Sequence, residues 1–365
     1  MKALILAGGF GTRLRPLTCT RPKLMFPVAN RPLLDWMMEQ LSKNGVTTVI
    51  LAVNYLADVL VDHFGNSKYD MRILCSREMK PLGTGGPIKK AENILDEDNE
   101  PFFVLNGDIM STIDYKSLYE THLKSKAKAT IALYEVEDPS RFGVVELNEK
   151  NQILRFVEKP KIEEAPSHLI NAGIYVLDHS IIDLIPEGKA VSIERQIFPI
   201  LASNGELFGY KFGTLWVDIG KPKDYIEANR VMLDMVAAKN YIEKGAKVSK
   251  KAKIIPPVAI ARGAVVEAGA VVGPYTSLGE GVVIKKGSRV ENSILFPHAW
   301  IDNSTSIKDA IVGENAFIGS WVKIESECII GDNAMINDNV TLTSNVKVCP
   351  SKNVSESILQ PSIIL

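Results

Sequence analysis

Two hydrophobic textures divide the chain. Residues 3–7 and 102–105 are short unbroken apolar runs, the mark of strands buried on both faces of a parallel sheet. The β-branched stretch 46–53, the runs 130–134 and 207–212 and the less regular 72–75 predict further strands. Between them, apolar residues recur at helical spacing. Leu34, Met37, Met38 and Leu41 fall on one face, with Asn30 as expected cap, Pro32 in the first turn and Asn44-Gly45 as the stop. Further helices are expected over 115–126, 192–203 and 222–239. Residues 3–53 thus read as a βαβ unit, and residues 1–240 as an α/β domain with a Rossmann-like mixed sheet.

From residue 250 helical periodicity stops. Ile254, Ile260, Val266, Val272, Leu278, Ile284 and Val290 stand six apart, and the spacing resumes at Val312, Ile318, Ile324, Ile330, Ile336, Leu342 and Val348. Neither helix nor alternating strand has a period of six, but the sides of a parallel β-helix do, so 241–365 is expected to be a left-handed parallel β-helix of hexapeptide repeats. The phase break over 297–308 reads as an insertion or a change of face. Many hexapeptide proteins transfer acyl groups with a histidine base; the only histidine of the repeat region, His298, sits next to Pro297 and reads as a loop residue. The repeat domain is therefore expected to be a stabilising platform on which a homo-oligomer forms.

Composition narrows the function. At 365 residues and 46% hydrophobic content the chain can fill two cores. A net charge of -1 gives no broad electrostatic attraction to nucleic acid or anionic membrane, so any positive charge that matters is local. Cys19, Cys75, Cys328 and Cys349 lie far apart without Cys-x-x-Cys spacing, and read as thiols. The N-terminal apolar run is too short for a secretory signal and no run reaches membrane-spanning length, which predicts a soluble, cytoplasmic protein.

The candidate chemistry begins where the first strand runs into Gly8, Gly9 and Gly11. Successive N–H groups of such a loop can point at one oxyanion, and Arg13, Arg15 and Lys23 add positive charge. A Walker loop would need Lys-Ser/Thr after its last glycine, and a dinucleotide loop a third glycine where Leu14 stands. Read from these residues alone, an ordinary strand-to-loop turn stays open. So does a solvent loop for Lys80 to Pro87, whose three glycines between prolines could equally form a backbone wall beside a flat ligand. Asp108 follows a buried strand, at the sheet edge where ligands gather, yet also suits a turn.

G-G-x-G-T-R-L-x-P-L-T followed by P-K resembles the signature of the sugar-1-phosphate nucleotidylyltransferases, although Leu24 stands where that family usually has a second proline. The resemblance implies that Gly8, Gly9, Gly11, Thr12 and Arg13 bind a nucleoside triphosphate, that Arg13 and Lys23 are catalytic, and that Gly83 lines the base. It implies sugar-phosphate contacts from Gly143, Glu158, Lys159 and Asn171, which lie in F-G-V-V, F-V-E-K-P and N-A-G-I-Y, and a Mg²⁺ site at Asp108 and Asp218. Trp-Val-Asp-Ile-Gly, Trp321 to Glu325 and Ile336 to Asn339 are similar to the mannose-specific, guanylyl-transferring branch. The implied reaction is GTP plus mannose 1-phosphate giving GDP-mannose and pyrophosphate. Uridylyl or thymidylyl transfer to glucose 1-phosphate, and a non-catalytic sensor of nucleotide sugars, remain alternatives.

Overall fold

The computed structural model describes every residue except 10, 55, 96, 98, 238 and 239. Packing divides the chain into two compact units, Met1–Gly9 with Leu34–Asp218 and Phe10–Leu33 with Ile219–Leu365. Residues 11–33, although early in the chain, therefore pack with the second unit.

The first unit is built on a mixed sheet. Its strands run in the order Ile153–Glu158, Gly143–Leu147, Leu169–Leu177, Phe102–Asn106, Lys2–Leu6, Thr48–Val53, Met71–Arg77 and Ser67–Lys68. Lys2–Leu6 pairs in parallel with Thr48–Val53 and with Phe102–Asn106, and Leu169–Leu177 returns antiparallel. The apolar runs supply central strands buried on both faces, as at Leu4, Ile5, Val104 and Leu105.

Helix ends follow local chemistry. Asp114 caps Tyr115–Ser125 by accepting from the Ser117 N–H at 2.9 Å. Ser192 caps a helical stretch that opens with a π turn, Ile193–Ile197, and continues as Phe198–Ser203. The first helix, Leu33–Lys43, begins later than a cap at Asn30 would place it. Ala29 and Asn30 both take positive φ, 48° and 65°, and turn a two-residue hairpin between Pro27–Val28 and Arg31–Pro32. Asn30 spends its side-chain amide on Leu278 O at 2.8 Å rather than on a helix end. The helix expected over 222–239 covers Pro222–Val236; Lys239 lies outside the described residues. No helix among the described residues is long and apolar enough to cross a membrane.

One buried group makes the first unit acid-sensitive. His122 is buried with Nδ1 3.0 Å from Thr130 Oγ1, and burial, only partly opposed by Asp178, lowers its pKa from 6.5 to about 4. The folded state therefore binds fewer protons than the unfolded chain between these values. This contribution to stability is complete above pH 6.5 and is lost as the pH falls toward 4. Comparing urea midpoints at pH 7 and 4.5, wild type should lose on the order of 2 kcal/mol more than His122→Gln. Equal losses would contradict this.

In the second unit the six-residue pattern closes into three parallel sheets of eight, seven and six strands. Every repeated aliphatic from Ile260 to Val348 enters one continuous core. Corners take left-handed backbone at the same interval, as at Asn333, Asn339 and Asn345 with φ of 57°, 62° and 63°. The phase break is neither an insertion nor a change of face. Two sides are one residue short: the aliphatic step is five from Val290 to Leu295 and again from Ile307 to Val312. Leu278 consequently pairs with Leu295 and Val290 with Ile307, a turn of 17 residues, whereas Ile260 pairs with Leu278, a turn of 18. The shortened corners hold Asn292 and Asp309, both left-handed, and the Asn292 amide donates to Asp309 Oδ1 at 2.5 Å. The sheets stay in register because the corners absorb both deletions.

Candidate active site

Four parallel strands bring one group of side chains together in the first unit. Phe102–Asn106, Lys2–Leu6, Thr48–Val53 and Met71–Arg77 lie side by side, so Asp108, Gly8 and Gly9, Asn54, and Glu78 all emerge at one carboxyl edge. The Gly107 N–H donates to Leu6 O at 3.0 Å, which fixes the turn carrying Asp108 beside the glycine loop. A Cβ on Gly8 would lie 3.3 Å from Glu78 Oε2 and 3.6 Å from Asn54 Cβ, so these two side chains flank the loop.

Glu78 is only 7% exposed. Burial pushes its carboxyl pKa up, while the Leu82 N–H and the charge of Lys90 pull the other way. Glu78 Oε1 and Asn54 Nδ2 are both buried without a hydrogen-bond partner. An orphan acceptor and an orphan donor beside the same glycine each cost about 1–3 kcal/mol. A ligand presenting the complementary donor and acceptor would remove that cost.

A short ribbon joins the segments that carry the two aspartates. Ile109–Ser111 pairs antiparallel with Trp216–Asp218, and Asp218 stands opposite Ile109, the residue after Asp108. Both carboxylates are half-buried at the same end of the ribbon. Two hard oxygen donors at neighbouring positions suit a divalent cation. Among the described residues no group of three or more His, Cys, Asp or Glu side chains could hold a metal. An ion on this pair would therefore complete its shell from phosphate and water.

Three of the four residues expected to bind the sugar phosphate lie on three adjoining strands, and Lys159 directly follows one of them. Gly143 pairs with Glu158 across Gly143–Leu147 and Ile153–Glu158, and Leu169–Leu177, carrying Asn171, runs beside the former. A Cβ on Gly143 would lie 2.6 Å from Phe156 Cζ and 2.9 Å from Glu158 Oε2, so the buried Phe156 ring keeps this position small. Lys159 Nζ lies 3.4 Å from Glu158 Oε1 and is largely exposed. Burial raises the Glu158 pKa; Lys159 opposes this and Glu194 adds to it. Asn171 donates to the Tyr175 hydroxyl and accepts from the Gly173 N–H, both at 2.9 Å, which holds its amide in one orientation. Trp216 Nε1 donates to Ala172 O at 2.9 Å, tying the strand that ends at Asp218 to the one that carries Asn171.

Gly83 has a positive φ of 75° and bridges to Val191, whose carbonyl oxygen would lie 2.3 Å from any Cβ there. Its neighbour Thr84 donates to Glu194 at 2.6 Å and accepts from the Ile193 N–H at 3.0 Å. The Gly-rich segment is thus anchored through 191–194, a role for glycine that its composition did not announce.

The remaining signature residues belong to the second unit. Gly11 is left-handed at φ 55°, and its carbonyl accepts from Thr18 Oγ1 at 3.1 Å. Short 3-10 turns, Thr12–Leu14, Leu17–Cys19 and Lys23–Met25, follow. Thr12 and Arg13 are exposed and Lys23 is buried.

Residues 2–235 match the family model for nucleotidyl transferases, and residues 254–364 match that for the GMPPB C-terminal domain. A mannose-1-phosphate guanyltransferase of Candida albicans is 40% identical over the whole of both chains. A probable mannose-1-phosphate guanylyltransferase 1 of Oryza sativa is 38% identical, again over the whole of both. The chain belongs to the mannose-1-phosphate guanylyltransferase family. Among solved structures, HddC from Yersinia pseudotuberculosis complexed with GMP-PN is 32% identical with a TM-score of 0.54, covering 63% of this chain and 99% of that one.

Nucleotidyltransferases generally use a divalent metal, and Asp108 and Asp218, on the two segments of one ribbon, are oxygen donors of the kind such an ion takes. The sequence alone did not single out Asn54 and Glu78, which flank Gly8, or Thr84 and Glu194, which anchor the segment at Gly83. Asn54 and Glu78 do carry one signal: each is the first polar residue beyond a strand, as Asp108 nearly is.

Proposed function

We propose that the chain transfers the guanylyl group of GTP to mannose 1-phosphate, releasing pyrophosphate and forming GDP-mannose. The full-length likeness to mannose-1-phosphate guanylyltransferases supports the overall reaction. The observation that carries the base is the buried pair beside Gly8. The Glu78 carboxylate can accept from guanine N1–H and the exocyclic amine, and the Asn54 amide can donate to a ring acceptor. Uracil and thymine offer one ring N–H and no amine, so they would leave part of the carboxylate unpaired.

In this mechanism an oxygen of the sugar phosphate attacks the α-phosphorus in line as the bond to the β-phosphate oxygen breaks. The nucleophile is already ionised, so the chain supplies position and charge rather than a base. Arg13, Lys23 and the N–H groups of Gly8, Gly9, Gly11 and Thr12 serve the triphosphate and the departing pyrophosphate. Lys159 holds the sugar phosphate; Glu158, Asn171 and Gly143 serve the sugar, and Gly83 the base. Asp108 and Asp218 would hold Mg²⁺, which when bound offsets charge on the α-phosphate.

A homo-oligomer is supported by one face of the β-helix. Val265, Val283, Trp300, Phe317 and Met335 stack in register at the outward positions of one sheet, and Trp300 and Met335 are 39% and 46% exposed.

The reverse reaction tests the function with a clean product. GDP-mannose and pyrophosphate with Mg²⁺ should yield GTP and mannose 1-phosphate, and EDTA should abolish this. GDP-mannose left intact under these conditions, or turnover indifferent to EDTA, would contradict the proposal.

A further inference from the structure

The segment that carries Arg13 and Lys23 is fastened to the β-helix by a buried ionic contact. Asp332 follows the strand Ile329–Ile330 at a β-helix corner and is 4% exposed. Its Oδ1 accepts from the Glu314 N–H at 2.7 Å, which fixes the carboxylate. Its Oδ2 accepts from Thr20 Oγ1 and from the Arg21 guanidinium, both at 2.6 Å. The same guanidinium reaches Glu314 Oε2 at 2.7 Å and lies 4.8 Å from the centre of the Phe296 ring. Gly313 leaves the room this needs, since a Cβ there would meet Asp332 Oδ1 at 2.5 Å.

Two features set this contact apart from an ordinary surface ion pair. First, it is desolvated: burial alone would depress the Arg21 pKa, yet Asp332 and Glu314 outweigh it and the guanidinium stays firmly charged. Buried ion pairs are weak sources of net stability, because an apolar filling of the same volume often serves as well; they are better at fixing register. Second, nearby contacts fix the chain on the far side of Lys23. Phe26 packs on Phe296 and Tyr225, with centroids 6.0 and 5.3 Å apart. The Tyr225 hydroxyl donates to Pro27 O at 2.6 Å, and the Ala29 N–H donates to Asn229 Oδ1 at 2.9 Å. Lys23 thus lies between two anchored stretches, only Pro22 separating it from Arg21.

We infer that Asp332 is a positioning residue for the phosphate-binding signature, acting through Thr20 and Arg21 to hold Lys23 and the turns before it in their working arrangement. The inference rests on the reading that this signature binds the triphosphate of GTP. On it, the β-helix takes part in the reaction, and any event that shifts the corner at 331–332 changes the affinity for nucleotide without touching the sugar-phosphate residues.

The test compares full-length wild type with Asp332→Asn, Arg21→Lys and the double variant Arg21→Ala/Asp332→Ala. Asparagine keeps the shape but turns a donor toward two donors, and lysine keeps the charge but loses the two-carboxylate reach. In each single variant kcat/KM for GTP should fall about tenfold to a hundredfold, the scale of a small misplacement of a positioning group. The KM for mannose 1-phosphate should stay within about twofold and the double variant should be no worse than the singles. Amide hydrogen exchange should accelerate in peptides covering 11–26 and stay unchanged in the β-helix beyond the altered corner. Unaltered exchange in 11–26, or equal losses toward both substrates, would overturn the inference. If the wild type lacked turnover, the functional reading would fail, and exchange together with GTP binding would still decide the role of Asp332.

Discussion

Asp108→Asn should lower kcat for guanylyl transfer by about 10²- to 10³-fold, the usual loss when one preorganised charge-stabilising group is removed. Asparagine preserves the volume and one oxygen, so the ribbon between Ile109–Ser111 and Trp216–Asp218 keeps its register and the fold is unaffected. What disappears is half the negative charge of a two-carboxylate site. Asp218 alone should hold a divalent ion more weakly, so raising Mg²⁺ should recover part of the rate. A plot of kcat against Mg²⁺ concentration for wild type and variant separates a metal role from a turn-forming one. If Asp108 only shaped the turn after Phe102–Asn106, asparagine would serve equally well and both curves would coincide.

The second large effect is expected at Glu78. On the proposed reading of the base, Glu78→Gln replaces a carboxylate that would accept from two guanine donors with an amide that accepts once and donates once. A buried hydrogen bond to a charged group is worth about 1.5–3 kcal/mol, so kcat/KM for GTP should fall about 10- to 10²-fold. The amide N–H₂ can donate to a carbonyl of uracil or thymine, so activity with UTP or dTTP should fall less or rise. The ratio of GTP to UTP turnover is therefore the sensitive readout. Acidification should mimic the variant: the Glu78 pKa is raised by burial, and the KM for GTP should climb as the pH falls through that value, at a higher pH than a solvated carboxylate would give. In Glu78→Gln this acid limb should vanish. An unchanged nucleotide ratio would remove Glu78 from base reading and leave only its contact with the glycine loop.

These two residues also illustrate what the sequence could and could not convey. The position of Asp108 was legible because the strand before it is an unbroken apolar run that ends at the carboxyl edge of the sheet. Glu78 was not, because its one local signal, standing first beyond a strand, depends on knowing that the strand runs to Arg77; its place beside Gly8 emerges only once Met71–Arg77 is known to lie beside Thr48–Val53 and Lys2–Leu6. The β-helix was legible for the opposite reason, since a period of six repeats until it excludes other folds. Its two shortened sides were misread because polar residues surround both steps, and a missing corner residue disturbs the phase as an insertion would. The helix start failed at Asn30 because a hairpin turn and a contact to Leu278, 248 residues away, claimed the residue first. Arg21 and Asp332 are likewise separated by 311 residues, and no local pattern links them.

The most direct test of the account is pyrophosphate release by the purified chain with Mg²⁺, crossing GTP, UTP, dTTP and ATP against mannose 1-phosphate and glucose 1-phosphate. GTP with mannose 1-phosphate should exceed every other pair by a wide margin. A preference for UTP or dTTP with glucose 1-phosphate would contradict the reading of the base and sugar, and no release from any pair while GDP-mannose still binds would identify a sensor rather than a transferase.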